Sequence, residues 1–286
     1  MNKEAFKLLQ SKKDSEPTHI TTELNIMSAE YNLHNLDFLE FFPNLEKLTV
    51  SNSGKRDITD ISGLKYTKKL KAVEIYAKFS PQAFNISIIN DCEHLEVVRL
   101  ININDSKKKT LQASIVGLDY LVNMTNLKFL TLIGFHVEAE NIEGIKSLSE
   151  IEITGAELSD ISLLSKLPNL ESVILCNNNI KDFSALLQLE KLKSLAAFDN
   201  GLTADEIDYW SMKFTHADEV HFEPPPEMRR KKKKVERGRR LITAIMTIVF
   251  IVLNLARFDL IGTSTLVSMI VFAALMSVPA LRMIKT

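Results

Sequence analysis

Four side chains between His216 and Glu223 form the one group with metal-binding chemistry: His216, Asp218, His221 and Glu223. Imidazoles and carboxylates together could hold zinc, but the HExxH and paired-cysteine patterns that fix such ligands are missing from this run. It reads as polar surface, so we expect no metal. Nucleophiles fare no better. The chain has no glycine-rich phosphate loop, no G-x-S-x-G elbow and no Cys/His pairing of catalytic type, and we expect neither a cofactor nor an enzymatic activity. Its two cysteines, Cys92 and Cys176, fall four repeat units apart in the pattern described next. At ~4.8 Å per stacked strand that is about 19 Å. A disulfide requires Cα atoms within about 7 Å, so both are expected to remain thiols.

What positions these residues is a repeat. From Leu148 to Leu192 the chain reads LSEIEITGAELSDISLLSKLPNLESVILCNNNIKDFSALLQLEKL, with two copies 22 residues apart. Apolar residues fall at Leu148, Ile151, Ile153, Leu158, Ile161, Leu164 and Leu167, then at Leu170, Val173, Leu175, Ile180, Phe183, Leu186 and Leu189. A unit this small cannot bury its own apolar face, so copies must stack and share one core. Earlier copies start at Leu45, Leu70, Leu95 and Leu127, a degenerate first copy precedes them from Thr21, and a last one starts at Leu192. Their excess length falls after the strand, most of it in Asn102–Thr110, whose Lys107, Lys108 and Lys109 read as a solvated loop tip. Thr203 and Glu206 form the sequence signature of a capping box, opening a helix on which Ile207, Trp210 and Phe214 share a face. With Val220 and Phe222 this helix should cap the stack.

The two L-x-x-[LIV]-x-[LI] cores, Asn178, and the pairs Asp160-Ile161 and Asp182-Phe183 resemble a leucine-rich repeat of the short, internalin-like type. Most copies depart from that pattern by lacking Asn at the turn position. The resemblance covers residues 21–223 and implies an α/β solenoid: a leucine-rich-repeat horseshoe with a parallel β-sheet on its concave face, used to bind proteins. By the period-2 rule the residues beside and between the buried ones line that inner face, Cys176 among them. From these we single out Tyr76, Val97, Arg99, Ile101, Phe129, Thr131, Ile133, Glu152, Ile174 and Phe198 as protein-binding residues, with Val97, Ile101, Phe129 and Ile133 forming an apolar patch around Arg99. The rival reading is that the insertion after Ile101 covers part of this patch.

The overall charge of −1 conceals an asymmetry. From Arg229 onward there are twelve bases and two acids, which leaves residues 1–228 with 23 bases, 34 acids and a net charge of −11. An acidic body argues against nucleic acid as its partner. The basic end begins after Pro224, Pro225 and Pro226, a stiff spacer. Arg229, Arg230, Lys231, Lys232, Lys233, Lys234, Arg237, Arg239 and Arg240 follow, and we expect them to hold anionic lipids. Two apolar segments, 241–256 and 260–281, then read as a transmembrane helical hairpin, against the alternative of one span and one re-entrant segment. Domains are therefore expected at 1–20 (a helical cap or free segment), 21–223, 224–240 (linker) and 241–286 (anchor).

With bases at both ends of the hairpin and a neutral turn, the positive-inside rule puts solenoid and C-terminus in the cytoplasm, at the cell (inner) membrane. The charged N-terminal stretch, without an apolar run of signal-peptide length, agrees. A cytosolic location would also leave the sequons Asn85-Ile86-Ser87 and Asn123-Met124-Thr125 unused. We expect a protein that binds a protein partner through the concave face. The alternatives are a toxin-neutralising immunity-type inhibitor at the inner membrane and a surface receptor or adhesin of inverted topology. The sequence does not define an oligomeric state.

Overall fold

The computed structural model describes residues 19–26, 33–52, 57–80, 84–103, 113–137, 142, 144–224, 226 and 229. The chain divides into two compact units, Met1–Glu223 and Pro224–Thr286. Described strands are β1 (Glu23–Ile26), β2 (Lys47–Asn52), β3 (Ala72–Ala77), β4 (Phe84–Asn85), β5 (Val97–Asn102), β6 (Ala113–Val116), β7 (Phe129–Ile133), β8 (Phe135–His136), β9 (Glu150–Thr154), β10 (Ser172–Ile174), β11 (Ser194–Ala196) and β12 (Glu219–His221). Nine of them form one parallel sheet in the order β1-β2-β3-β5-β7-β9-β10-β11-β12.

Every repeat start read from the sequence, from Leu45 to Leu192, is at most 2% exposed, and so are the branched residues three and five places on, such as Val73 and Ile75. Each such side chain taken out of water contributes about 1.5–3 kcal/mol, which no repeat could gain without its neighbours. The sheet register follows the repeat: Lys47, Ala72, Val97, Phe129, Glu150, Ser172, Ser194 and Glu219 stand side by side. The degenerate first copy is real as well, with β1 pairing β2 through Leu24↔Leu48 and Ile26↔Val50.

After the strand the chain crosses to the opposite side and turns through 3-10 helices, including Ser62–Tyr66, Ser87–Asp91, Ser162–Lys166 and Ser184–Gln188. The Asp-Ile and Asp-Phe pairs now have a role. The carboxylates of Asp60, Asp160 and Asp182 accept the backbone N–H two residues on, at 2.7–2.8 Å, and so start these helices. Asn85 does the same for Ser87 at 2.8 Å, so this sequon carries a structural Asn.

Asparagines tie the turns together. Asn178 accepts from Ala156 N–H at 2.9 Å and donates to Ile153 O at 2.8 Å; Asn200, 2% exposed, accepts from Ile180 N–H and donates to Leu175 O and Ala197 O. The early repeats are less deficient than their pattern suggests. Asn52 and Asn102, one place ahead of the Asn178 position, reach across in the same way to Leu33 O and Gly134 O.

The sequence gives no hint of a second sheet, yet β4, β6 and β8 pair in parallel. It takes one strand from each of three successive repeats, those starting at Leu70, Leu95 and Leu127, and packs over Phe79, whose ring meets Phe84 and Phe135 edge-on at 4.8 Å each.

One residue past the start of each repeat, charges alternate from strand to strand: Glu46, Lys71, Glu96 and Lys128, then Ser149, then Glu171 and Lys193, with Asp218 beyond. Lys71 lies 2.7 Å from Glu46, Lys128 2.8 Å from Glu96 and Lys193 2.7 Å from Glu171, and each hydrogen-bonding lysine holds its carboxyl below the usual carboxylate range. These exposed pairs add little to stability. They do penalise a slipped neighbour, since like charges set opposite each other repel.

The cap has the expected form. Helix α1 (Ala204–Lys213) opens with Thr203 and Glu206 in a reciprocal capping box, and it buries Trp210, whose Nε1 donates to Lys181 O at 3.1 Å. Phe222 packs edge-on against Phe183, and β12 closes the edge of β11.

Residues 1–18 and the apolar segments 241–256 and 260–281 lie outside the described residues. Among the described residues no helix is long and apolar enough to cross a membrane.

Candidate functional site

The inner face is the surface the strands present between their buried residues. On β3 and β5 burial alternates residue by residue, with Ala72, Glu74 and Tyr76, then Val97, Arg99 and Ile101, half-buried between fully buried neighbours. Register brings Ile101 beside Tyr76 and Ile133, and Val97 beside Phe129. Four apolar side chains thus stand on two adjacent strands about 5 Å apart, each keeping part of its surface in water.

Arg99 lies within this patch, its Nη1 3.9 Å from Glu74 Oε2. Tyr76 donates its hydroxyl to Glu74 at 3.1 Å. Burial, followed by that hydrogen bond, pushes the Tyr76 phenol above its usual range. Farther along, Glu152, Ile174 and Phe198 are also half-buried, on or just past β9, β10 and β11.

Two expected inner-face residues are not open to a partner. Thr131 is 4% exposed, because a short side chain in the row between Arg99 and Glu152 is covered by its longer neighbours. Cys176 is 4% exposed with Sγ 3.5 Å from Ala196 O: β10 ends at Ile174, and the chain turns through Asn177 at a φ of 55°. Both cysteines are free, and burial pushes their thiols up to about 11.

His216, Asp218, His221 and Glu223 are exposed, and no cluster of potential metal ligands occurs among the described residues. Of the nine bases assigned to lipids only Arg229 is described; it is exposed and its Nε donates to Pro224 O at 2.6 Å.

No protein-family model matches the chain, and no curated protein sequence matches it. Solved structures do. Internalin C2 from Listeria monocytogenes is similar at a TM-score of 0.50 and 18% identity, over 70% of this chain and 79% of that one. A second internalin of the same organism gives 0.48 and 19% identity over 72% of this chain and 62% of that one. A leucine-rich-repeat protein of Leptospira interrogans gives 0.36 and 16%, over 69% and 58%. At such identities a likeness bears on the fold alone, and that to internalin C2 agrees with the parallel register, the buried leucines and the asparagine turns: the chain has the fold of a leucine-rich-repeat solenoid.

Proposed function

We propose that the solenoid is a recognition module, held at a membrane by residues 241–281 with both ends in the cytosol, which binds a protein partner on its inner face. The observation that carries this is the patch of Val97, Ile101, Phe129 and Ile133, half-exposed on adjacent registered strands around Arg99. Apolar side chains held partly in water on a rigid sheet are the material of interaction sites, where aromatic and Arg anchors dominate binding. The bases from Arg229 to Arg240 would hold anionic lipids at the same membrane.

Phe129→Asp combined with Ile133→Asp is expected to lower recovery of the partner at least ~10-fold, while the far-ultraviolet circular dichroism stays that of the parent. Unchanged recovery by a folded variant rejects the inner face as the recognition surface.

The topology has its own test, protease accessibility in intact cells, in cells stripped of wall or outer membrane, and after lysis, followed with an N-terminal tag. Cleavage is expected only after lysis. Cleavage before lysis would move the solenoid to the other side of the membrane.

A further inference from the structure

The strand next to the apolar patch is chemically lopsided. On β9 two carboxylates, Glu150 and Glu152, stand two residues apart on the inner face, level with Phe129 and Thr131 of β7 and with Ser172 and Ile174 of β10. Inner-face positions from Phe129 to Phe198 hold no Lys, Arg or His. Arg99 is two strands away and already beside Glu74. Among the described residues no base lies within ion-pair distance of Glu150 or Glu152.

Glu152 is half-buried. Burial first, and Glu150 second, push its carboxyl above the usual range, with Arg99 and the Thr131 hydroxyl pulling the other way. Such a carboxylate has lost water without gaining a full counter-charge.

A partner covering this face cannot be indifferent to it. A wholly apolar segment would seal Glu152 away with nothing to pair it, which is costly. An acidic one would meet two like charges on a body already at −11 over residues 1–228. A cation repays the lost hydration, and one resting over the Phe129 ring would gain from its face as well.

We infer that β7, β9 and β10 form a seat for a basic side chain of the protein partner, carried on a segment whose neighbouring residues are apolar. The cation meets Glu150 and Glu152, and its neighbours cover Phe129, Ile133 and Ile174. Arginine suits the seat best, because its fork pairs with a carboxylate through two hydrogen bonds while its plane stacks on an aromatic ring. This inference rests on the inner face being the recognition surface.

A displayed library of random short peptides, selected against the full chain, tests it. Enriched peptides are expected to carry a basic residue among apolar ones, and the double variant Glu150→Gln, Glu152→Gln should bind them about tenfold more weakly. Glu171→Gln, in the exposed charge ladder, should leave binding unchanged. Binders that are lost on Phe129→Asp but not on the double Gln variant overturn the seat and leave the inner face standing. If binders ignore both changes, or none are enriched, the recognition surface itself is wrong and the seat falls with it.

Discussion

Phe79→Ala lowers the free energy of unfolding by about 3–5 kcal/mol, the cost of removing a fully buried aromatic ring from a core that cannot close over the space. Phe79 has no exposed surface, and its ring is held edge-on by Phe84 and Phe135 at 4.8 Å each, an arrangement worth about 0.5–1.5 kcal/mol beyond the burial itself. Its backbone is also engaged, with N–H donating to Asn102 Oδ1 at 3.3 Å, so the residue stays in place when the ring is cut away. Phe79→Leu, which keeps most of the volume, should cost only about 1 kcal/mol. Denaturant unfolding of the two variants checks this. A change below about 1 kcal/mol for the alanine variant would mean that the second sheet does not pack over this ring.

Gly63→Ala is expected to cost roughly 3 kcal/mol, although alanine in a helical turn normally stabilises by about 0.4–1 kcal/mol. The sign reverses because of what lies opposite. Gly63 is buried in the 3-10 helix Ser62–Tyr66, and a Cβ there would collide with the carbonyl of Leu36 in the preceding repeat. The obstacle is backbone that cannot rotate aside, so the two repeats must separate. Because each repeat contacts only its neighbours, the damage should concentrate at the N-terminal end, and amide exchange in β1 and β2 should quicken while that in β10 and β11 stays slow. Stabilisation by this substitution would disprove the close approach.

These two residues mark the edge of what the sequence makes legible. Leucine spacing gave the register of the large sheet outright, because a slip of one place would turn Leu48 or Val98 into water. It also gave the inner-face rows, while the Thr203 and Glu206 signature gave the α1 cap. Gly63 carries no such signal, since the contact it permits is with a residue of another repeat. The second sheet was hidden because β4 and β8 are two residues long, too short to alternate. Thr131 stands in the expected row but is covered, for a related reason: period 2 tells which way a side chain points but not how far its neighbours reach across it. At Cys176 the rule was carried past the end of the strand. Asn52 and Asn102 escaped notice because the structure needs a side-chain amide at the turn but tolerates it one residue early. Carboxylates without bases could be seen in the string of residues, but the burial of Glu152 could not.

The alternating charges at the repeat starts bear on how such a chain can change its length. Cutting out the single unit that carries Lys71 would set Glu46 beside Glu96, whereas cutting out the two units that carry Lys71 and Glu96 would set Glu46 beside Lys128. Duplications and deletions of paired units therefore keep the pattern and odd ones break it, except where uncharged Ser149 can absorb the mismatch. The ladder acts as a parity rule, under which the solenoid grows or shrinks most easily two units at a time.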